Sequence, residues 1–240
     1  MPLERYRLQD FSDDDIASIV RADSDAIANI AGVRPRAYRA GGWCVQPFDR
    51  LAKPLQSIGV EIDSTVYPGG RSVSPGREYD FRAAPTDSYW RFETDPLVPT
   101  ENGRFIELPI TPLTTYPLFY WRLVARAVLR RDRALGDGVA VSKGARYYLS
   151  RLFSPTRCCA SIDGEKARLT RQAFRGAQST GGQVLNLVGH PKSQSKRSLE
   201  LLDRFLAEHR EHLEPSRFQD FELEDAARTD GVAHADGVQA

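Results

Sequence analysis

One histidine occupies the position where this chain can best do chemistry. It closes an apolar run, Val184-Leu185-Asn186-Leu187-Val188-Gly189-His190, and Pro191-Lys192 and an amphipathic stretch follow it directly. Such a run reads as a strand buried in a parallel sheet, and the C-terminal edge of that kind of strand is where α/β proteins assemble sites. An imidazole there titrates near neutrality and can give or take a proton. Upstream, the sequence offers no aspartate pair, histidine pair or cysteine cluster to complete a metal-dependent centre. Two other groupings have weaker claims. Glu208, His209, Glu211 and His212 fall within one helical turn, but with no ligands converging from elsewhere they read as a solvated helix end. Lys192, Lys196 and Arg197 crowd the start of the last helix, where phosphate can meet free amides, and read as solvated side chains.

The elements that must position His190 follow from pattern. Ser12, with Asp15 three residues on and Phe11 against Ile16, predicts a capping box and hydrophobic staple for a helix running to about Ala31. Ile16, Ile19, Val20, Ile27 and Ile30 give it one apolar face, and Gly32 supplies the stop. Arg34 to Ala40 reads as a short strand. Phe48, Leu51, Leu55 and Ile58 mark a second helix that Pro54 should kink or confine to its first turns. A strand from Val60 to Val66 follows. Pro68 to Pro99, rich in Gly, Pro, Ser and Arg with interspersed aromatics, reads as a covering excursion or binding loop. Arg104 to Thr111 is a strand, and Pro117 opens a helix through about Arg131. That helix is apolar with a basic flank, so it either packs on a sheet with its arginines in water or lies on a membrane surface. Helices are expected near Ala145 to Leu152, Glu165 to Gly176 and Lys196 to His209, the last pairing Glu200 with Arg204. Alternating strands and helices predict an α/β fold with a mainly parallel sheet, and about four assignable strands are few for a closed barrel. Residues 1–215 form one domain on this reading, and 216–240 a flexible tail with little to bury.

Composition sets the outer bounds. The chain has 240 residues, 41% hydrophobic, with 33 basic against 32 acidic side chains. A net charge of +1 supplies no global field to recruit nucleic acid or acidic membrane. Cys44, Cys158 and Cys159 are too few and too badly spaced for a disulfide framework or zinc knuckle, and read as reduced and buried. No apolar run approaches the ~18 residues of a spanning helix. The first ten residues resemble neither a signal nor a transit peptide, so the chain as written is expected to be cytoplasmic.

Three segments together resemble the polysaccharide deacetylase family, the NodB-homology or family-four carbohydrate esterases. Arg36-Ala37-Tyr38-Arg39-Ala40-Gly41-Gly42-Trp43 resembles the family's third motif, and Tyr79-Asp80-Phe81-Arg82 and Ala160-Ser161-Ile162-Asp163-Gly164 add to the likeness. Ile58-Gly59-Val60-Glu61-Ile62-Asp63-Ser64 resembles, more loosely, the strand of the fourth motif. Leu187-Val188-Gly189-His190 carries the Leu-x-x-His pattern of the fifth. The resemblance covers roughly Phe11 to Arg210. It implies a partial or distorted (β/α) barrel with an open edge, hydrolysis of N-acetyl groups on carbohydrate, and a zinc-type divalent metal in the complete family. It also implies roles for particular residues: His190 as general acid, Asp63 tuning it, Arg39 orienting a carboxylate base, Trp43 walling the groove and Leu187 lining the acetyl pocket.

The departures matter equally. Family members begin with a Thr-Phe-Asp-Asp-Gly strand and then a pair of metal-binding histidines, and neither is in this sequence. The resemblance thus implies an N-terminally incomplete domain, from a truncated gene, a misplaced start or a pseudo-enzyme. Deacetylation needs a metal to polarise the amide, a base for water and an acid for the leaving amine. His190 suits the last role, and a carboxylate such as Asp63 would favour its charged form. With no base and no metal ligands evident in the chain, hydrolysis is expected to be impaired. The alternative is a non-catalytic carbohydrate-binding protein using the same groove through Trp43 and Trp90. An open sheet edge would also invite oligomerisation.

Overall fold

A computed structural model describes residues 8–74, 77–128, 149–179 and 181–218. The expected end of the third helix beyond Val128, most of the helix at 145–152 and the tail from 219 onward lie outside those residues.

Helix α1 (Asp13–Ala31) starts as the sequence dictates. The Ser12 side chain accepts from the Asp15 amide, Asp15 accepts from the Ser12 amide, and Gly32 ends the helix at φ 73°. Its apolar face is another matter. Ile16 is buried, but Ile19, Ile27 and Ile30 are 45%, 48% and 90% exposed. Helix α2 (Asp49–Ser57) runs past Pro54 without ending there, correcting the expectation that proline confines it. Its stop is a Schellman arrangement, in which Val60 N donates to Leu55 O, Gly59 N donates to Gln56 O, and Gly59 takes φ 81°.

The strands are short. β1 (Ala37–Tyr38), β2 (Ile62–Asp63) and β6 (Phe105–Glu107) are parallel, and β5 (Trp90–Phe92) pairs antiparallel to β6, giving the order β1-β2-β6-β5. β3 (Arg71–Ser74) and β4 (Arg77–Asp80) form a hairpin, and β7 (Pro112–Thr115) pairs antiparallel with β8 (Thr156–Cys159). The fold is therefore mixed α/β, with antiparallel pairs beside a parallel centre, and no closed barrel is formed among the described residues. Phe48 of α2 packs edge-on against Phe92 and Phe105 at 4.8 and 4.9 Å, seating the helix on the sheet. The excursion at 68–99 is held as expected by buried aromatics: Phe81, Trp90 and Phe92 are all in the core, and Trp90 Nε1 donates to Pro96 O at 2.8 Å.

Helix α3 (Pro117–Val128) buries Tyr120 and leaves Leu118, Trp121 and Val124 60%, 49% and 44% exposed. Its Arg126 does not face water. It lies 3.0 Å from Glu165, a buried carboxylate also held by Arg168. No helix among the described residues is long and apolar enough to cross a membrane. A 3-10 turn (Gly164–Leu169) leads into α4 (Thr170–Ser179), and α5 (Lys196–Glu208) begins with reciprocal Ser195–Ser198 capping. Glu200 pairs with Arg197 rather than Arg204.

The run into His190 is extended but is not the buried strand its composition suggests. It makes one parallel bridge, Ser161 to Val188, and only Val188 of the run is buried. Its polar anchoring explains why. Thr111 N donates to Asn186 O, Asn186 N donates to the Thr111 hydroxyl, Val188 N donates to Ala160 O, and Ile162 N donates to Val188 O. The segment is tied to two neighbours by alternate bonds instead of a continuous ladder.

Candidate functional site

Two groups of functional side chains emerge, and the sequence expectations fall across both. The first is built on His190. Gly189 precedes it because a Cβ there would stand 2.8 Å from Ile162 Cγ1, so the chain passes close over Ile162 and delivers His190 beside the next residue, Asp163. That carboxylate grips the histidine twice: Oδ1 accepts the His190 amide at 2.7 Å and Oδ2 meets ring Nδ1 at 2.7 Å. With the Nδ1 proton pointed at Asp163, Nε2 is the free edge of the ring, and the side chain is 48% exposed. The arrangement suits proton transfer, with Nε2 donating when the ring is charged and accepting when it is neutral. Asp163 stood in the sequence within a matched pentad, without a role. Only the fold brings it 27 positions back to the ring.

The carboxylate expected beside His190, Asp63, is elsewhere. It stands in the second group, at the C-terminal ends of β1, β2 and β6, where Tyr38, Asp63 and Glu107 occupy one row across the sheet. Asp63 and Glu107 are wholly buried. Asp63 Oδ1 accepts from the Thr65 hydroxyl at 2.7 Å, and Glu107 Oε1 accepts from Val66 N at 3.0 Å. Their remaining oxygens, Asp63 Oδ2 and Glu107 Oε2, have no donor among the described residues. Two carboxyl groups in that position bond to each other only by sharing a proton. Burial raises both, and the Asp63 charge raises Glu107 further, well above the ordinary carboxyl range. Burial and then the Asp63 charge also push the Tyr38 phenol up, keeping it neutral.

Arg39 belongs to this group electrostatically but spends its hydrogen bonds on Ser64, donating Nε to the carbonyl at 2.7 Å and a terminal nitrogen to the hydroxyl at 2.9 Å. Burial lowers it and the nearby Asp63 charge opposes that shift. The same Ser64 hydroxyl takes Asn186 Nδ2 at 2.8 Å, and that amide also donates to Leu108 O at 3.0 Å. Asn186 thus joins the Arg39 group to the segment ending in His190, four residues or at most about 14 Å of extended backbone away.

The two expected binding residues are placed as follows. Trp43 is half-buried, packs edge-on against Tyr67 at 5.9 Å and tilted against Tyr79 at 6.0 Å, and adopts φ 65°, a conformation uncommon for a bulky residue. Leu187 is half-buried against Leu113, Cys158, Ala160 and Ala173, and lines a groove of about 860 Å³ with Asn186, Leu185 and Phe205. Glu107, Ser64 and Asn186 had no assigned role in the sequence. An acid flanked by Ile106 and Leu108 in a short strand was the available signal for Glu107. His209 packs at a tilt against Phe174 and Phe205 at 4.7 and 4.8 Å, and Glu208 pairs with Arg171. Cys44, Cys158 and Cys159 are buried. No family model, curated protein or solved structure matches this chain.

Proposed function

We propose that this chain is a polysaccharide deacetylase-like domain with part of a (β/α) barrel, acting on N-acetylated carbohydrate through His190. The observation that carries the reading is the double grip of Asp163 on His190, which fixes the ring and leaves Nε2 facing outward. The ordering of backbone segments supports it. β1, β2 and β6 run parallel, Thr111 O takes Ala160 N, and Ala160 O takes Val188 N, so hydrogen bonds continue from the open edge at β1 to the segment bearing His190.

In this reading water adds to the acetyl carbon and gives up a proton to solvent, the C–N bond breaks, and the charged imidazole supplies its Nε2 proton to the amine nitrogen, leaving acetate, a free amine and a neutral ring that regains its proton from solvent. Arg39 and Ser64, braced by Asn186, form a rigid floor rather than a hold on a catalytic base. The resemblance attaches a zinc-type metal to this chemistry. Among the described residues no group of three or more His, Cys, Asp or Glu is placed to hold one, so these residues do not fit that metal.

The test is acetate release from N-acetylglucosamine oligomers, with and without added zinc and chelator, in the native chain and in His190→Ala. Release that both chelator and His190→Ala abolish supports hydrolysis. Oligomer binding that ignores chelator and yields no acetate supports a carbohydrate-binding protein. A folded chain that neither binds nor hydrolyses these oligomers overturns the reading.

A further inference from the structure

The turns that follow β1 and β2 hang from two carboxyl groups. Ala40 N donates to the Thr65 hydroxyl oxygen at 2.9 Å, that hydroxyl donates to Asp63, and Val66 N donates to Glu107. Beyond Ala40 lies the Gly41–Trp43 turn, with Gly42 and Trp43 both at positive φ, a conformation the turn holds only while its neighbours constrain it. Beyond Val66 lies Tyr67, whose ring meets Trp43 and whose hydroxyl bonds Tyr79 at 2.7 Å. One buried acid pair therefore tethers both sides of the aromatic cluster.

We propose that the proton shared by Asp63 and Glu107 is a latch: while it is held, the turns at 40–44 and 64–67 are fastened around Trp43, and its loss in alkali releases them. This inference stands independently of the carbohydrate reading. The titratable and charged groups around the pair are Tyr38 of β1 and Arg39 just after it, with Asp23 of α1, Cys44 after the Gly41–Trp43 turn and Cys159 of β8 acting on those two. Arg39 balances one negative charge, that of Asp63. A second, on Glu107, would be buried against the first. The sign follows from the raised carboxyl. Above the ordinary carboxyl range the native chain keeps a proton that the unfolded chain has lost, so the fastened state weakens as pH rises towards the Glu107 value and beyond.

The experiment is pulsed hydrogen exchange of the Ala40 and Val66 amides on the full chain between about pH 6 and pH 10, expressed as protection factors. Glu107→Gln keeps an acceptor for Val66 and offers Asp63 an N–H that does not titrate. Native protection at both amides should fall at least about tenfold across that range, while the variant stays flat. Should Glu107→Gln not fold, Asp63→Asn makes the same prediction from the other side of the pair. Flat protection in the native chain, or an equal fall in a folded variant, overturns the latch.

Discussion

Replacing Gly189 by alanine tests how the fold delivers His190 to Asp163. The added methyl would stand 2.8 and 2.9 Å from Ile162 Cγ1 and Cδ1 and 3.3 Å from Gln194 Nε2. Two of those contacts are closer than packed carbons tolerate, and Cγ1 lies too near the backbone to swing clear. Overpacking of this kind costs about 1–3 kcal/mol. Alanine also restricts the unfolded chain, which returns roughly 0.4–1 kcal/mol. The net expectation is a loss of about 1–2 kcal/mol in urea unfolding with an unchanged slope. Relief must come by moving the 188–190 segment, so the His190–Asp163 bond should weaken and the His190 ring resonances should shift. Ile162→Ala removes both clashing carbons. The double variant should therefore be more stable than the sum of the single effects by about 1–2 kcal/mol, with His190 resonances restored. Strict additivity, or a Gly189→Ala protein with native His190 signals, would refute the close-approach argument.

Two further outcomes follow from charge. Glu165→Ala removes the buried partner of Arg126 and Arg168 and should cost about 2–4 kcal/mol, reduced from the usual cost of breaking a buried pair because Arg168 is largely solvated; equilibrium unfolding reads it directly. Asp80 is held down to about 2, chiefly by its hydrogen bonds from Arg82, so its contribution is complete above the ordinary carboxyl range and lost as pH falls through that low value. A carboxyl NMR titration should place Asp80 there, and Arg82→Gln should return it towards the ordinary range.

Local chemistry was legible where local chemistry decides structure. Ser12, Asp15 and Gly32 set both ends of α1, Gly59 stops α2, and the cysteines are buried, all as their types imply. The strands were harder. Val60 to Val66 reads as seven residues of strand, but only Ile62 and Asp63 pair in the ladder, because the Arg39 side chain takes the Ser64 carbonyl and the Thr65 hydroxyl takes the Ala40 amide, backbone groups that a longer strand would use. The apolar face of α1 was legible as a face, but not that Ile19, Ile27 and Ile30 stand exposed, since helical spacing reports amphipathicity and not what covers it. His190 was legible as a candidate, but its carboxylate was not. Neither Asp63 nor Asp163 stands at a separation from His190 that predicts contact, and only tertiary placement selects the second. Glu107 escaped notice although its flanking Ile106 and Leu108 signalled a buried acid, because its role depends on Asp63, a neighbour supplied by strand pairing.

The central claim is that the outward edge of His190 meets an N-acetylated sugar. Histidine ring NMR on the full chain during titration with N-acetylglucosamine oligomers tests it most directly, with His209, packed between Phe174 and Phe205, as internal control. The account predicts a saturable shift at His190 that is lost in Asp163→Ala, with His209 unmoved. Oligomer binding that leaves the His190 resonances unchanged would contradict it.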